Sequence, residues 1–323
     1  MNFRILWSIA LISVSSAVLS AADPTLAVVI RGDGVVNLYR ARGIGLQVIK
    51  SIPVGKQPTE LCHDAKSKKL YVGQGAEKGV AEIDLATMSI TANMTDPEIK
   101  NPDGCTLSPD SSKLYLVDAK ADTVFVFSTS THQLITKIPV GKEPRRALFT
   151  LDGKSILVSN AHSDTLSVID AATNKVVREV KTGKEPRDML WSLDGKLLIV
   201  AMIVDDSIAY YHADSLTLER QVGTQRSPQR IALSPDGQRL FSLSRFENSI
   251  SVADLSESGE KRYVATIPVG KNTFNMAMST NGKTLYTSNT QLDNTISIVD
   301  VSLMKVVNTI AVGKLSGCML YIP

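Results

Sequence analysis

Ile138-Pro139-Val140-Gly141-Lys142-Glu143-Pro144-Arg145-Arg146 is the stretch on which the reading of this chain turns. Its first five residues return as Ile52-Pro53-Val54-Gly55-Lys56 and as Ile267-Pro268-Val269-Gly270-Lys271. Weaker copies stand at Lys181-Thr182-Gly183-Lys184 and Ala311-Val312-Gly313-Lys314. Two residues past the Lys lies an equivalent anchor position, occupied by Pro58, Pro102, Pro144, Pro186, Pro228, Thr273 and Ser316. The spacings are 44, 42, 42, 42, 45 and 43 residues. Seven anchors at so even a period define an internal repeat, and a repeat constrains the fold before composition does.

Each period has one grammar. In the third, Leu148-Phe149 leads into Thr150-Leu151-Asp152-Gly153-Lys154. Ser155 to Ser159 follows, then a loop at Asn160 to Asp164 and the run Leu166-Ser167-Val168-Ile169-Asp170. Short β-branched runs separated by turn residues read as four antiparallel strands per unit. Asp152-Gly153, Asp194-Gly195, Asp236-Gly237 and Asn281-Gly282 close the first hairpins. No helical period of useful length appears.

Four strands in such a period make one blade of a β-propeller. The two ends complete each other. Gly317 to Ile322 is enough for one strand, while Leu26 to Ile52 supplies three strands that lack a first. The expected fold is an all-β, seven-bladed propeller whose last blade joins one C-terminal strand to three N-terminal ones, leaving no open sheet edge.

Leu70-Tyr71-Val72, Ile156-Leu157-Val158-Ser159-Asn160, Leu285-Tyr286-Thr287-Ser288-Asn289 and the Pro-Val-Gly-Lys linkers resemble the YVTN-type β-propeller repeat. The resemblance runs nearly end to end. It implies the fold and leaves function open: such propellers serve as binding scaffolds, surface-layer pieces and, among relatives, enzymes. One periplasmic member of the broader group binds single-stranded DNA, and others are similar to lactonases or to subunits of amine-oxidising quinoproteins.

Arg4, the apolar run Ile5 to Leu19 and the small residues Ser20-Ala21-Ala22 read as a secretory leader over 1–22, with one propeller domain over 23–323. The expected location is periplasmic or secreted, with no membrane span after cleavage. Removing Arg4 leaves 34 Lys+Arg against 32 Asp+Glu, or +2, a balance that gives no bulk attraction to nucleic acid. Three cysteines are not a disulfide framework. Cys62, Cys105 and Cys318 read as buried free thiols in innermost strands, with a Cys62–Cys318 bridge as the alternative.

If the first strand of each blade runs away from its anchor, the residues after the anchors ring the mouth of the central channel on the top face. The first ring is Thr59, Asp103, Arg145, Arg187, Gln229, Phe274 and Gly317. The second is Glu60, Gly104, Arg146, Asp188, Arg230, Asn275 and Cys318, over an apolar third of Leu61, Cys105, Ala147, Met189, Ile231, Met276 and Met319. Arg145, Arg146, Arg187 and Arg230 converge there from three successive blades. Arginine favours planar carboxylates and phosphates, each charge-assisted bond contributing roughly 1.5–3 kcal/mol. The expected ligand site is therefore Glu60, Asp103, Arg145, Arg146, Arg187, Asp188, Arg230 and Asn275. The bland alternative is that Arg146 and Arg230 pair with Asp188 and neighbours simply to lock blades together. Further out, Lys56, Lys100, Lys142, Lys184, Arg226, Lys271 and Lys314 form a basic ring, with acidic loops at Asp118, Asp122, Asp164, Asp205, Asp206 and Asp293 beyond it.

No Cys-x-x-Cys-His, Gly-x-Ser-x-Gly or His-Glu-x-x-His occurs, and the histidines at 63, 132, 162 and 212 lack metal-ligand spacing. No cofactor and no metal are expected. The reading is a binding scaffold, without catalysis of its own, that takes a small anion or a protein partner on its top face. A lactonase- or isomerase-like enzyme using a mouth carboxylate and a single-stranded nucleic-acid binder are the alternatives.

Overall fold

The computed structural model describes residues 25–255 and 263–322; the leader expected over 1–22 lies outside them. Seven four-stranded antiparallel sheets stand in a ring. Blades 1 to 6 cover 58–95, 102–139, 144–181, 186–223, 228–268 and 273–311. In blade 7 Ser316–Ile322 pairs with Thr25–Ile30, to which Val35–Arg42 and Gly45–Pro53 are added in turn. The sequence-derived closure is the one observed. The seven first strands pack against one another in a closed circle around the axis. The short 3-10 turn Ala161–Ser163 is the one helical element among the described residues, where none was anticipated. None is long and apolar enough to cross a membrane.

The core is divided among the seven gaps between blades. One cluster of buried side chains fills each, from Leu61 and Val72 against Ala27 and Val36 to Ile231 and Leu240 against Ile199 and Ala201. This explains the second-strand motifs. Successive side chains of a strand point to opposite faces, and each blade is buried on both. Thus Ile156 and Val158 pack toward blade 2 while Leu157 packs toward blade 4. Burying one such side chain stabilises by roughly 1.5–3 kcal/mol. The Ser-Asn ending has a polar role. Asn160 Nδ2 donates to Thr165 Oγ1 at 3.0 Å and to Ser167 Oγ at 2.9 Å, and Asn289 repeats this with Thr295 and Ser297, both at 2.9 Å. The linker glycine exists for this asparagine: a Cβ on Gly141 would lie 2.6 Å from the Asn160 amide carbon.

The acidic top loops also have structural work. The loop between second and third strands turns on a left-handed residue in every blade: Gly34, Lys78, Asp122, Asp164, Asp206, Asn248 and Asn294. Each carbonyl accepts a backbone N–H at the end of its own blade's outer strand. In five blades the side chain also reaches the linker into the next blade. Asp122, Asp164, Asp206, Asn248 and Asn294 accept the N–H of Glu143, Glu185, Ser227, Asn272 and Leu315 at 2.8, 2.9, 2.7, 2.6 and 2.8 Å. Asp118, Asp205 and Asp293 accept the N–H of Lys100, Lys184 and Lys271 at 2.6, 2.8 and 2.6 Å. Asp and Asn tolerate the left-handed conformation that the turn requires.

Candidate functional site

A bulge at the top of each inner strand builds the channel mouth. Pro144 pairs with Asn160 and Arg146 with Ser159, so Arg145 is left without a partner. The same break follows Pro102, Pro228 and Thr273, and wider ones follow Pro58 and Pro186. An extra residue of this kind bends a strand and re-aims its side chains. The second strand satisfies the disturbed backbone: Arg146 N donates to Ser159 Oγ at 3.1 Å, and Ser159 Oγ donates to Arg187 O in the next blade at 2.7 Å. Asn275 N donates to Ser288 Oγ at 3.1 Å in the same way.

The second ring closes on itself. Glu60 of blade 1 takes Arg230 Nη2 of blade 5 at 2.9 and 3.2 Å and Nη1 of Arg146 from blade 3. Asp188 of blade 4 lies 3.4 Å from Arg146 Nε and 3.9 Å from Arg230 Nη1, and accepts the Ile231 N–H at 2.9 Å. Arg146 Nη1 also donates to Asp103 O at 2.7 Å. Arg230 is 5 % exposed and Glu60 7 %. Burial pushes Glu60 and Asp188 above the usual carboxylate range, with Arg146 pulling both back. Burial likewise opposes the Arg146 cation, yet Glu60, Asp188 and Asp103 hold it above the ordinary arginine range. Two guanidinium groups and two carboxylates here balance one another across the axis. The bland alternative describes Arg146 and Arg230 better than a shared anion does, with Glu60 as the neighbour that joins Asp188.

Above this network opens a recess of about 220 Å³, lined by Arg31, Thr59, Glu60, Asn101, Asp103, Arg145, Arg187, Arg245 and Phe274. All seven blades contribute. Arg145 is already engaged, Nη1 by Asp103 Oδ2 at 2.8 Å and Nη2 by Glu143. Arg245 Nε donates to Asn272 Oδ1 at 2.7 Å. Arg187 differs: among the described residues no carboxylate lies within 4.0 Å of it. Burial draws its pKa below the ordinary arginine range; Asp103 opposes this, and the neighbouring Arg145 and Arg146 reinforce it. Across the lining, four guanidinium groups face two carboxylates, so the formal surplus is 4 − 2 = +2.

Of the expected site residues, the structure gathers Glu60, Asp103, Arg145 and Arg187 at the recess, and Glu60, Arg146, Asp188 and Arg230 into the network. Asn275 is buried and lines neither. Sequence reasoning missed Arg31 and Arg245. Each is the first residue after its blade's second strand, where the other blades carry Gly75, Ala119, Ala161, Ile203 and Thr290. Two arginines among small or uncharged residues at one repeat position were the available signal.

Other expectations meet simpler fates. Lys142 pairs with Asp122 at 2.8 Å and is 72 % exposed, a surface contact of little energy. Asp110, Asp152, Asp194 and Asp236 shape bottom hairpins, each accepting a Ser or Thr hydroxyl at 2.5 to 2.7 Å. Cys62, Cys105 and Cys318 are free thiols. Burial raises Cys318 well above the ordinary thiol range, the Glu60 carboxylate beside it adding to the effect.

Seven blades closed through both termini, around an arginine-lined axial recess, define the class as a seven-bladed β-propeller. A model of the YNCE-like β-propeller family matches residues 104–243, from blade 2 into blade 5. The match covers less than half of the chain, and together with the ring of blades it supports a YVTN-type seven-bladed propeller family. A comparison with curated proteins gives no match. Among solved structures, hydrazine synthase from Kuenenia stuttgartiensis is similar at 19 % identity and TM-score 0.70, covering 81 % of this chain and 88 % of that one. A Desulfotomaculum acetoxidans protein of unknown function reaches 18 % and 0.78, with 92 % and 98 % covered. A candidate 6-phosphogluconolactonase from Bacteroides fragilis reaches 16 % and 0.82, with 94 % and 99 % covered. At these identities the likeness is one of fold.

Proposed function

We propose that this propeller is an exported binding scaffold that holds a small anion in the axial recess. The observation that carries the reading is Arg187, a half-buried guanidinium lining the recess with no carboxylate within 4.0 Å among the described residues. An anion there would supply what Asp103 and Glu60 supply to Arg145, Arg146 and Arg230. Binding is favoured over lactonase-like catalysis because both mouth carboxylates are engaged by guanidinium groups, which leaves neither free as a base. Export rests on the leader-like residues 1–22.

The test sets two arginines against each other. Arg230→Gln removes a partner from a buried ion pair and should cost about 3–5 kcal/mol of stability. Arg187→Gln removes a cation that has no ion pair of its own, so the melting temperature should hold or rise while anion binding disappears. Thermal shift and calorimetry with inorganic phosphate and simple carboxylates read both effects, since a ligand of the folded state raises its stability. Anion binding that Arg187→Gln leaves untouched would refute the proposal.

A further inference from the structure

The recess has poles as well as charge. Numbered around the ring, Arg145, Arg187 and Arg245 come from blades 3, 4 and 5, while Arg31 comes from blade 7. Blade 7 is three steps from blade 3 in one direction and three from blade 4 in the other, so Arg31 stands across the mouth from Arg145 and Arg187. One wall between the poles is Phe274 of blade 6, the one aromatic among the residues lining the recess. The other, from blades 1 and 2, is Thr59 and Asn101 together with the carboxylates of Glu60 and Asp103, which Arg146, Arg230 and Arg145 already hold. Phe274 occupies the first position after its anchor, where the other blades carry Thr59, Asp103, Arg145, Arg187, Gln229 and Gly317. An aromatic side chain at a wet, cationic mouth is a departure from the repeat that a solvated turn does not call for.

Size narrows the ligand further. A cavity of about 150 Å³ accommodates one benzene ring, and drug-sized pockets begin at roughly 300 Å³. The recess, at about 220 Å³, has room for a single ring or short conjugated chain with its charged ends. Its surplus of two positive charges matches two negative ones.

We infer that the ligand is a small, flat dicarboxylate whose two carboxylates point apart, one toward Arg187 and the other toward Arg31, with its unsaturated face against Phe274. This rests on the anion reading above and adds shape and valency to it. Arginine is suited to such ends because its planar fork meets a carboxylate with two parallel hydrogen bonds.

The probes are terephthalate, phthalate, benzoate, succinate and inorganic phosphate, measured by calorimetry on the leaderless protein. Terephthalate should bind at least about tenfold more tightly than benzoate, whose single carboxylate fills one pole, and more tightly than phthalate, whose carboxylates are adjacent. That interval is one factor of ten per 1.4 kcal/mol. Arg31→Gln should bring terephthalate down to the affinity of benzoate and leave benzoate unchanged. Phe274→Leu should weaken terephthalate about fivefold and leave succinate where it was. If succinate or phosphate matches terephthalate on the wild-type protein, or neither substitution discriminates, the flat-diacid inference is overturned while anion binding stands. If no probe binds and Arg187→Gln changes nothing, the anion reading falls with it.

Discussion

Blades 2 to 6 and the seam formed by blades 7 and 1 solve one problem differently. At the exits of blades 2 to 6 an Asp or Asn in the top loop uses its carbonyl to hold its own blade and its side chain to hold the next linker. At the exit of blade 7 the same position is Gly34, which has no side chain to offer, and at that of blade 1 it is Lys78, whose Nζ donates to Pro97 O at 3.1 Å. Linkers elsewhere have four residues between strands, but the one after blade 1 has six, 96–101. What the seam has instead is strand pairing. Thr25–Ile30 lies between the C-terminal strand and Val35–Arg42, joining chain ends nearly 300 residues apart. The arc is held by clamps from its left-handed loop residues, and the seam by one non-local strand pair with Glu77 and Gln74 reaching the linker at Lys56 N and Val54 O, at 2.9 and 2.7 Å.

The largest effect should come from breaking that pair. Deleting 317–323 removes the inner strand of blade 7, exposes the edge of Thr25–Ile30 and uncovers the clusters around Cys318 and Met319. The expected product is aggregated or unfolded. A soluble truncation with the parent melting temperature would show that the seam contributes nothing. A smaller effect should follow from Asp206→Ala, which leaves the Ser227 N–H without its acceptor and should cost about 1–3 kcal/mol. The counterpart at the seam, Lys78→Ala, should stay within about 0.5 kcal/mol. Denaturant unfolding of the two variants compares clamp and seam directly, and equal losses would erase the distinction.

The smallest effect is titration of the bottom hairpins. Ser108 and the Ser112 N–H and hydroxyl hold Asp110 down at about 2, and Asp152, Asp194 and Asp236 are lowered by Thr150, Ser192 and Ser234. A carboxyl whose folded pKa is depressed stabilises the fold above its unfolded value, near 3.9. That contribution fades as pH falls through the folded value. The melting temperature should therefore slip by a few degrees between about pH 4 and pH 2, and Asp110→Asn should flatten the slope. Blade 6, which carries Asn281 at this position, offers a non-titrating reference for hydrogen exchange across the same range.

The repeat made the ring, the strand count and the closure readable, because equivalent residues had to occupy equivalent places. The same logic put Arg145, Arg187, Asp103 and Glu60 at the mouth. Pairings across the axis were harder to see. Arg230 meets Glu60 over a separation of 170 residues, and no local pattern encodes which of seven neighbours a channel side chain will choose. The repeat offers Asp188 and neighbours as partners, and Glu60 is the neighbour that holds the closer contact. Arg31 and Arg245 escaped for another reason. They sit on loops between second and third strands, and repeat position alone does not tell that those loops lean over the mouth. The acidic loops misled in the opposite sense: they looked like an electrostatic frame and are chiefly acceptors for linker backbone.

The bulge after each anchor has a consequence for how such a molecule can change. A residue skipped by the ladder, as Arg145 is between Pro144 and Arg146, is answerable to no cross-strand partner and to no inter-blade cluster. Substitution there breaks no ladder pair, and that one column reads Thr, Asp, Arg, Arg, Gln, Phe and Gly around the seven blades while the neighbouring anchors stay nearly uniform. The ring thus behaves like a lock with seven pins, of which Asp103 and Arg145 are cut to fit each other. A sevenfold ancestor, symmetric by duplication, could acquire a one-sided keyhole a single residue at a time, with every intermediate still folded.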